Sequence, residues 1–177
     1  MGTGTGIVAH FATVKCQSAG LSSRSADVQL SHRIHGDAHT QRERAMTTLT
    51  ATLHATALLR ISLGVMALAH GLMKVFVFTL PGTVGYFESL GLPGFMAYLT
   101  IAAEVGGGLA LVLGLYTRWV SLALVPVLLG AAWVHLGNGW VFSNPGGGWE
   151  FPVFWAVALL VQAGLGSGSL VISRRLA

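Results

Sequence analysis

His70 and Lys74 stand four residues apart in the run ALAHGLMKVFVF, residues 67–78, and Glu104 lies in a second apolar run over 95–115. An imidazole, an ammonium and a carboxylate can bind polar groups and move protons. In hydrocarbon they are costly: a lone charge at mid-bilayer costs about 2.5–3.5 kcal/mol on insertion scales. Such groups therefore face one another or a polar cavity, and Glu104 is expected to pair with Lys74, with His70, or with both. Arg60 lies earlier on the same run as His70. His135 ends a third run and Glu150 opens a fourth. His70, Lys74, Glu104, Arg60, His135 and Glu150 are the candidate ligand-binding residues. No catalytic assignment follows from them, and no metal set is formed. Each also has a plainer reading: an ion pair locking two helices, a hydrogen-bonding or interfacial histidine, a basic topology anchor, an exposed loop acid.

These groups need elements to position them. On a helix, Arg60, Gly64, Ala67, His70, Gly71 and Lys74 share a sector of about 120°. Ile61, Val65, Leu68, Leu72 and Phe76 fall on the opposite side and are expected to face lipid. Ala97, Thr100, Glu104, Gly107 and Gly108 form a similar face on the next run. Small residues let two helix backbones approach closely. His70, Lys74 and Glu104 also lie at matching depth, within roughly 6–14 Å of one membrane boundary.

Composition says what surrounds them. Over 177 residues, 53% are hydrophobic and only 9% charged, against ~25% charged in soluble domains. Mean hydropathy is +0.69. So few charges cannot cover a soluble surface, and the chain reads as an integral membrane protein. Its single cysteine, Cys16, excludes disulfide frameworks, CxxC redox pairs and thiolate clusters within one chain. The net charge of +4 is spread along the chain and does not indicate nucleic acid.

Residues 1–45 hold five of the ten Lys/Arg and four of the seven His, without a sustained apolar period. They are expected to be a disordered extension, not a signal peptide, with the folded domain over 46–177. Four apolar runs follow, at 53–78, 95–115, 119–136 and 151–172. Each approaches the ~20 residues of a span. The expected fold is all-α, a four-transmembrane-helix bundle. The connection 79–94 suits either a short interfacial helix or a loop. Pro126 is expected to kink the third helix, and Trp119, Trp140, Trp149 and Trp155 to join the interfacial aromatic belts.

Arg42 and Arg44 precede the first run, Arg118 separates the second from the third, and Arg174 and Arg175 follow the fourth. The other two connections carry no Lys or Arg. Four crossings with both termini in the cytoplasm put all five cations on one side. No HExxH, phosphate loop or GxSxG elbow is present. A bis-His haem on His70 and His135 is a weak alternative.

The sequence resembles the DoxX family of small bacterial four-helix membrane proteins. The likeness rests on LLRISLGVMALAHGLMKVF, FESLGLPG, AAEVGGGLALVLGLYTR and GGWEFPVFWAVALLVQAGLGSGSL, covering about residues 53–172. It implies a four-helix fold in the bacterial inner membrane, with Arg60, His70, Lys74, Glu104 and Glu150 at the family's polar positions. Some members are named as subunits of quinone-reducing enzymes. The resemblance therefore implies a redox-linked subunit binding a quinone-like molecule, in the lipid bilayer, beside a redox-enzyme partner. The competing readings are a non-catalytic scaffold recruiting a soluble redox enzyme, and a small-molecule transporter, which would need a homo-oligomer.

Overall fold

The computed structural model describes the backbone of residues 6–171, with side chains at residue 37 and over 39–171. The chain divides into two units, Met1–Leu49 and Thr50–Ala177. The architecture is all-α. In order come α1 (Gly6–Phe76), α2 (Leu80–Ser89), α3 (Phe95–Leu113), α4 (Thr117–His135), a 3-10 turn (Leu136–Asn138) and α5 (Glu150–Leu165). The expected disorder over 1–45 falls mostly on side chains outside the described residues; the backbone from Gly6 onward belongs to α1.

Among the described residues, three helical segments are long and apolar enough to cross a membrane: His39–Phe76, Phe95–Leu113 and Thr117–Asn138. Glu150–Leu165 is apolar but shorter. This is a multi-pass membrane protein. Val65, Leu72, Phe76, Leu99, Leu129, Phe154 and Leu160 turn outward, which in water would be a large apolar liability and in lipid is the expected surface. Of the predicted lipid-facing set on α1, Ile61 and Leu68 are partly buried instead. Leu68 leans on Gly108 of α3. The core joins Leu63 and Ala67 of α1, Leu111 of α3, Leu124 and Leu128 of α4, and Trp155, Ala156 and Leu159 of α5.

Glycines bring α1 and α3 together. A Cβ at Gly64 would lie 2.8 Å from the Gly108 carbonyl oxygen, and one at Gly108 2.7 Å from the Leu68 nitrogen. Neither backbone can yield, so only glycine fits at this crossing. Gly71 faces the Cβ of Glu104, 3.1 Å from where its own would stand. That contact sets the register of the polar residues.

The connections follow from their residue types. Thr79 caps α2, its hydroxyl accepting from the Gly82 nitrogen at 3.3 Å, so 79–94 contains a helix. The α3 helix closes in a Schellman motif. Gly114 is left-handed at φ 76°, its nitrogen donates to Leu111 O at 3.1 Å, and Leu115 N donates to Ala110 O at 2.8 Å. Pro126 sits inside α4 on an exposed position.

The fourth apolar run departs from expectation. Its helix ends at Leu165 rather than near 172, because Gly166 adopts φ 79° and ψ −155°, a conformation essentially reserved for glycine. Sixteen residues rise about 24 Å, short of the ~30 Å hydrocarbon core. The chain beyond lies against α1. Ser169 N donates to Leu53 O at 3.1 Å, and Gly168 sits too close to Leu53 O and Ala57 N to carry a side chain.

Candidate functional site

Lys74 and Glu104 form the expected pair. Lys74 Nζ donates to Glu104 Oε1 at 2.8 Å and to Oε2 at 2.7 Å. The Glu104 side chain is 8% exposed and that of Lys74 19%. Glu104 is thus nearly sealed between helices, while the Lys74 side chain stays partly exposed. Thr83 of α2 donates its hydroxyl to Lys74 O at 2.8 Å, tying α2 over the end of α1.

His70 stands one helical turn before Lys74, so the two share a face. Its Nδ1 lies 2.9 Å from Met66 O. A carbonyl oxygen only accepts, so Nδ1 carries the proton and Nε2 of the neutral ring is an acceptor. Nε2 has no hydrogen bond among the described residues. The ring stacks on Phe151, with centroids 6.1 Å apart at 24°, and tilts against Trp155 at 4.9 Å. Phe151 and Trp155 are themselves 5.8 Å apart. The start of α5 thus walls His70 with two aromatic rings.

Trp155 corrects the sequence reading. Rather than joining an interfacial belt, it is 3% exposed in the core, and its Nε1 is buried without a partner. Spacing could have found it: Pro152, Trp155, Ala156, Leu159, Gln162 and Ala163 recur every three or four residues and are the buried face of α5. Trp119 and Trp140 do face outward.

The other candidates lie elsewhere or do other work. Arg60 is fourteen residues before Lys74, about 21 Å along α1. It is fully buried, and its Nη2 donates to Leu170 O at 2.7 Å and Ser169 O at 3.4 Å. A Cβ at Gly114 would overlap its Nη1. Arg60 therefore fastens the segment after α5 against α1, beside Gly114 at the end of α3. Also buried are the hydroxyls of Thr117 and Ser121, on one face of α4, and Gln162. Gln162 Nε2 donates to Gly166 O at 2.6 Å.

His135 and Glu150 serve the loop between α4 and α5. Asn138 Nδ2 lies 3.4 Å from His135 Nδ1 and donates to Gly147 O at 2.9 Å. Glu150 Oε1 accepts from Phe142 N at 2.8 Å. No group of three or more metal-ligating side chains occurs among the described residues.

The DoxX family model matches residues 55–137. Over that segment, a little under half of the chain, this membrane protein is similar to the DoxX family. The matched segment carries Arg60, His70, Lys74, Glu104 and His135, whereas Phe151 and Trp155 lie beyond it. The chain is 42% identical over 76 residues to the "Putative oxidoreductase CatD" of Bacillus subtilis (strain 168), covering 43% of this chain and 55% of that protein. It is also 42% identical over 57 residues to the "Inner membrane protein YqjF" of Escherichia coli (strain K12), covering 32% of this chain and 44% of that one. The chain thus spans about half the length of these relatives. No solved structure matches it.

Proposed function

We propose that this protein is a membrane-embedded part of a redox-linked system, and that it holds a quinone-like lipophilic molecule beside Lys74, Glu104 and His70. The observation that carries the reading is the Lys74–Glu104 pair, its Lys74 side chain partly exposed, with His70 Nε2 free of a hydrogen bond on the same helix face. Phe151, exposed at the start of α5, offers a flat apolar surface for a six-membered ring beside them. The name of the Bacillus relative supports a link to oxidoreduction. A redox partner fits a chain whose described residues offer no metal set.

The same pair fits the scaffold reading, since it also locks α1 to α3. Binding separates the two. Purified protein in mild detergent should quench its tryptophan fluorescence when titrated with a short-chain alkyl benzoquinone or hydroquinone. The K74M/E104L double variant should lose at least tenfold in affinity while keeping its thermal midpoint. Wild-type affinity in the double variant would leave the scaffold reading standing.

The same proposal places the protein in the bacterial inner membrane, as its Escherichia relative is named. Arg42, Arg44, Arg118, Arg174 and Arg175 would then face the cytoplasm. A reporter active only in the periplasm should be silent when fused at either terminus and active when inserted at Gly146. The reverse pattern would overturn the topology.

A further inference from the structure

We infer that the site binds the reduced, hydroxyl-bearing form of its aromatic ligand in preference to the quinone. This rests on the proposed function and refines it. The argument begins with a proton. Met66 O, 2.9 Å from His70 Nδ1, fixes the imidazole hydrogen on that side, so Nε2 presents a lone pair. Nε2 has no partner among the described residues. Glu104 is a second acceptor, and it already engages the ammonium of Lys74 with both oxygens.

The donors are differently placed. Lys74 spends two of its three hydrogens on Glu104 and keeps one. The indole N–H of Trp155 also lacks a partner, but it is buried and shielded from an arriving molecule.

A phenolic hydroxyl satisfies this arrangement at both atoms. Its hydrogen goes to His70 Nε2, and its oxygen accepts the third hydrogen of Lys74. A quinone carbonyl can take the Lys74 hydrogen but turns its own lone pairs toward Nε2. Two acceptors then face each other, and an acceptor that loses water without gaining a donor weakens binding. Sites built around a hydroxyl reject analogues lacking it far more strongly than apolar pockets reject a missing methylene. The ring stack of His70 on Phe151 holds the imidazole plane, so Nε2 cannot readily turn away.

The test compares 2-decyl-1,4-hydroquinone, kept reduced under anaerobic conditions, with 2-decyl-1,4-benzoquinone on the full chain in detergent. The hydroquinone should bind at least tenfold more tightly. The His70→Phe variant should lose that advantage, so that the two probes bind with affinities within about twofold of each other. Nitrogen-15 NMR of the wild-type protein should report the Nδ1–H tautomer of His70, which needs no variant and no ligand. Equal affinities, tighter benzoquinone binding, or an Nε2–H tautomer would overturn the inference and leave the proposed function in place. Failure of both probes to bind would sink the proposed function and this inference together.

Discussion

Lys74 and Glu104 are unequal partners, and the asymmetry can be measured. Glu104 is nearly sealed, whereas Lys74 keeps an outward edge. Lys74→Met leaves a buried carboxylate without its cation and should cost about 3–5 kcal/mol. Glu104→Leu should cost less, because the ammonium can swing toward water at the interface. The double variant should recover most of the loss. Reversible unfolding of all four proteins checks the order, and equal costs for the two single variants would contradict it. This pair was legible in the sequence because helical spacing put both groups on small-residue faces at matching depth. Trp155 was not legible. Its residue type argued for an interface, and only the buried period of α5 argued for the core. The donor side of His70 was hidden for another reason: it depends on a single hydrogen bond to the carbonyl of Met66, which residue identity does not specify.

The α1–α3 crossing depends on glycine at defined places. Gly108→Ala would set a methyl group 2.7 Å from Leu68 N and 2.8 Å from Gly64 O. Both are backbone atoms, so the helices must part, at a cost of about 1–3 kcal/mol. Gly106, two residues away, has nothing within 4 Å of a built Cβ. Gly106→Ala should be stabilising by about 0.5–1 kcal/mol through helix propensity. Thermal midpoints of the two variants should move in opposite directions, and a shared direction would show that the crossing is not packed as described. The sequence marked this close face through Gly64, Gly71 and Gly108. It misled at α5, where an apolar run reaching residue 172 concealed a helix that stops at Gly166. Hydropathy does not sense a glycine-specific dihedral. Nor does it foresee that Arg60, an isolated cation in an apolar run, fastens the segment after α5.

Within Thr50–Ala177 the molecule has two polar centres separated by an apolar middle. Lys74, Glu104 and His70 occupy one end, Arg60 and the buried hydroxyls of α4 the other, and the core of Leu63, Leu111, Leu124 and Leu159 lies between. The first centre keeps groups accessible; the second is packed shut. That contrast is why the proposed ligand is placed at the first. Residues 1–45 contribute none of these groups, and a chain beginning at Met46 should insert in the membrane and keep its thermal midpoint. Loss of either would show that the extension belongs to the fold. All-α architecture and membrane insertion were plain from composition alone. Which end is open was not, because closure at the Arg60 end comes from the segment after Gly166 folding back on α1.

Photolabelling reads the position of the ligand directly. An alkyl quinol carrying a ring-borne diazirine, irradiated on the purified protein and mapped by peptide mass spectrometry, should mark residues 66–76 and 150–156. Labelling should disappear in the K74M/E104L variant. Marks confined to the Arg60 end, or labelling undiminished in that variant, would contradict the account.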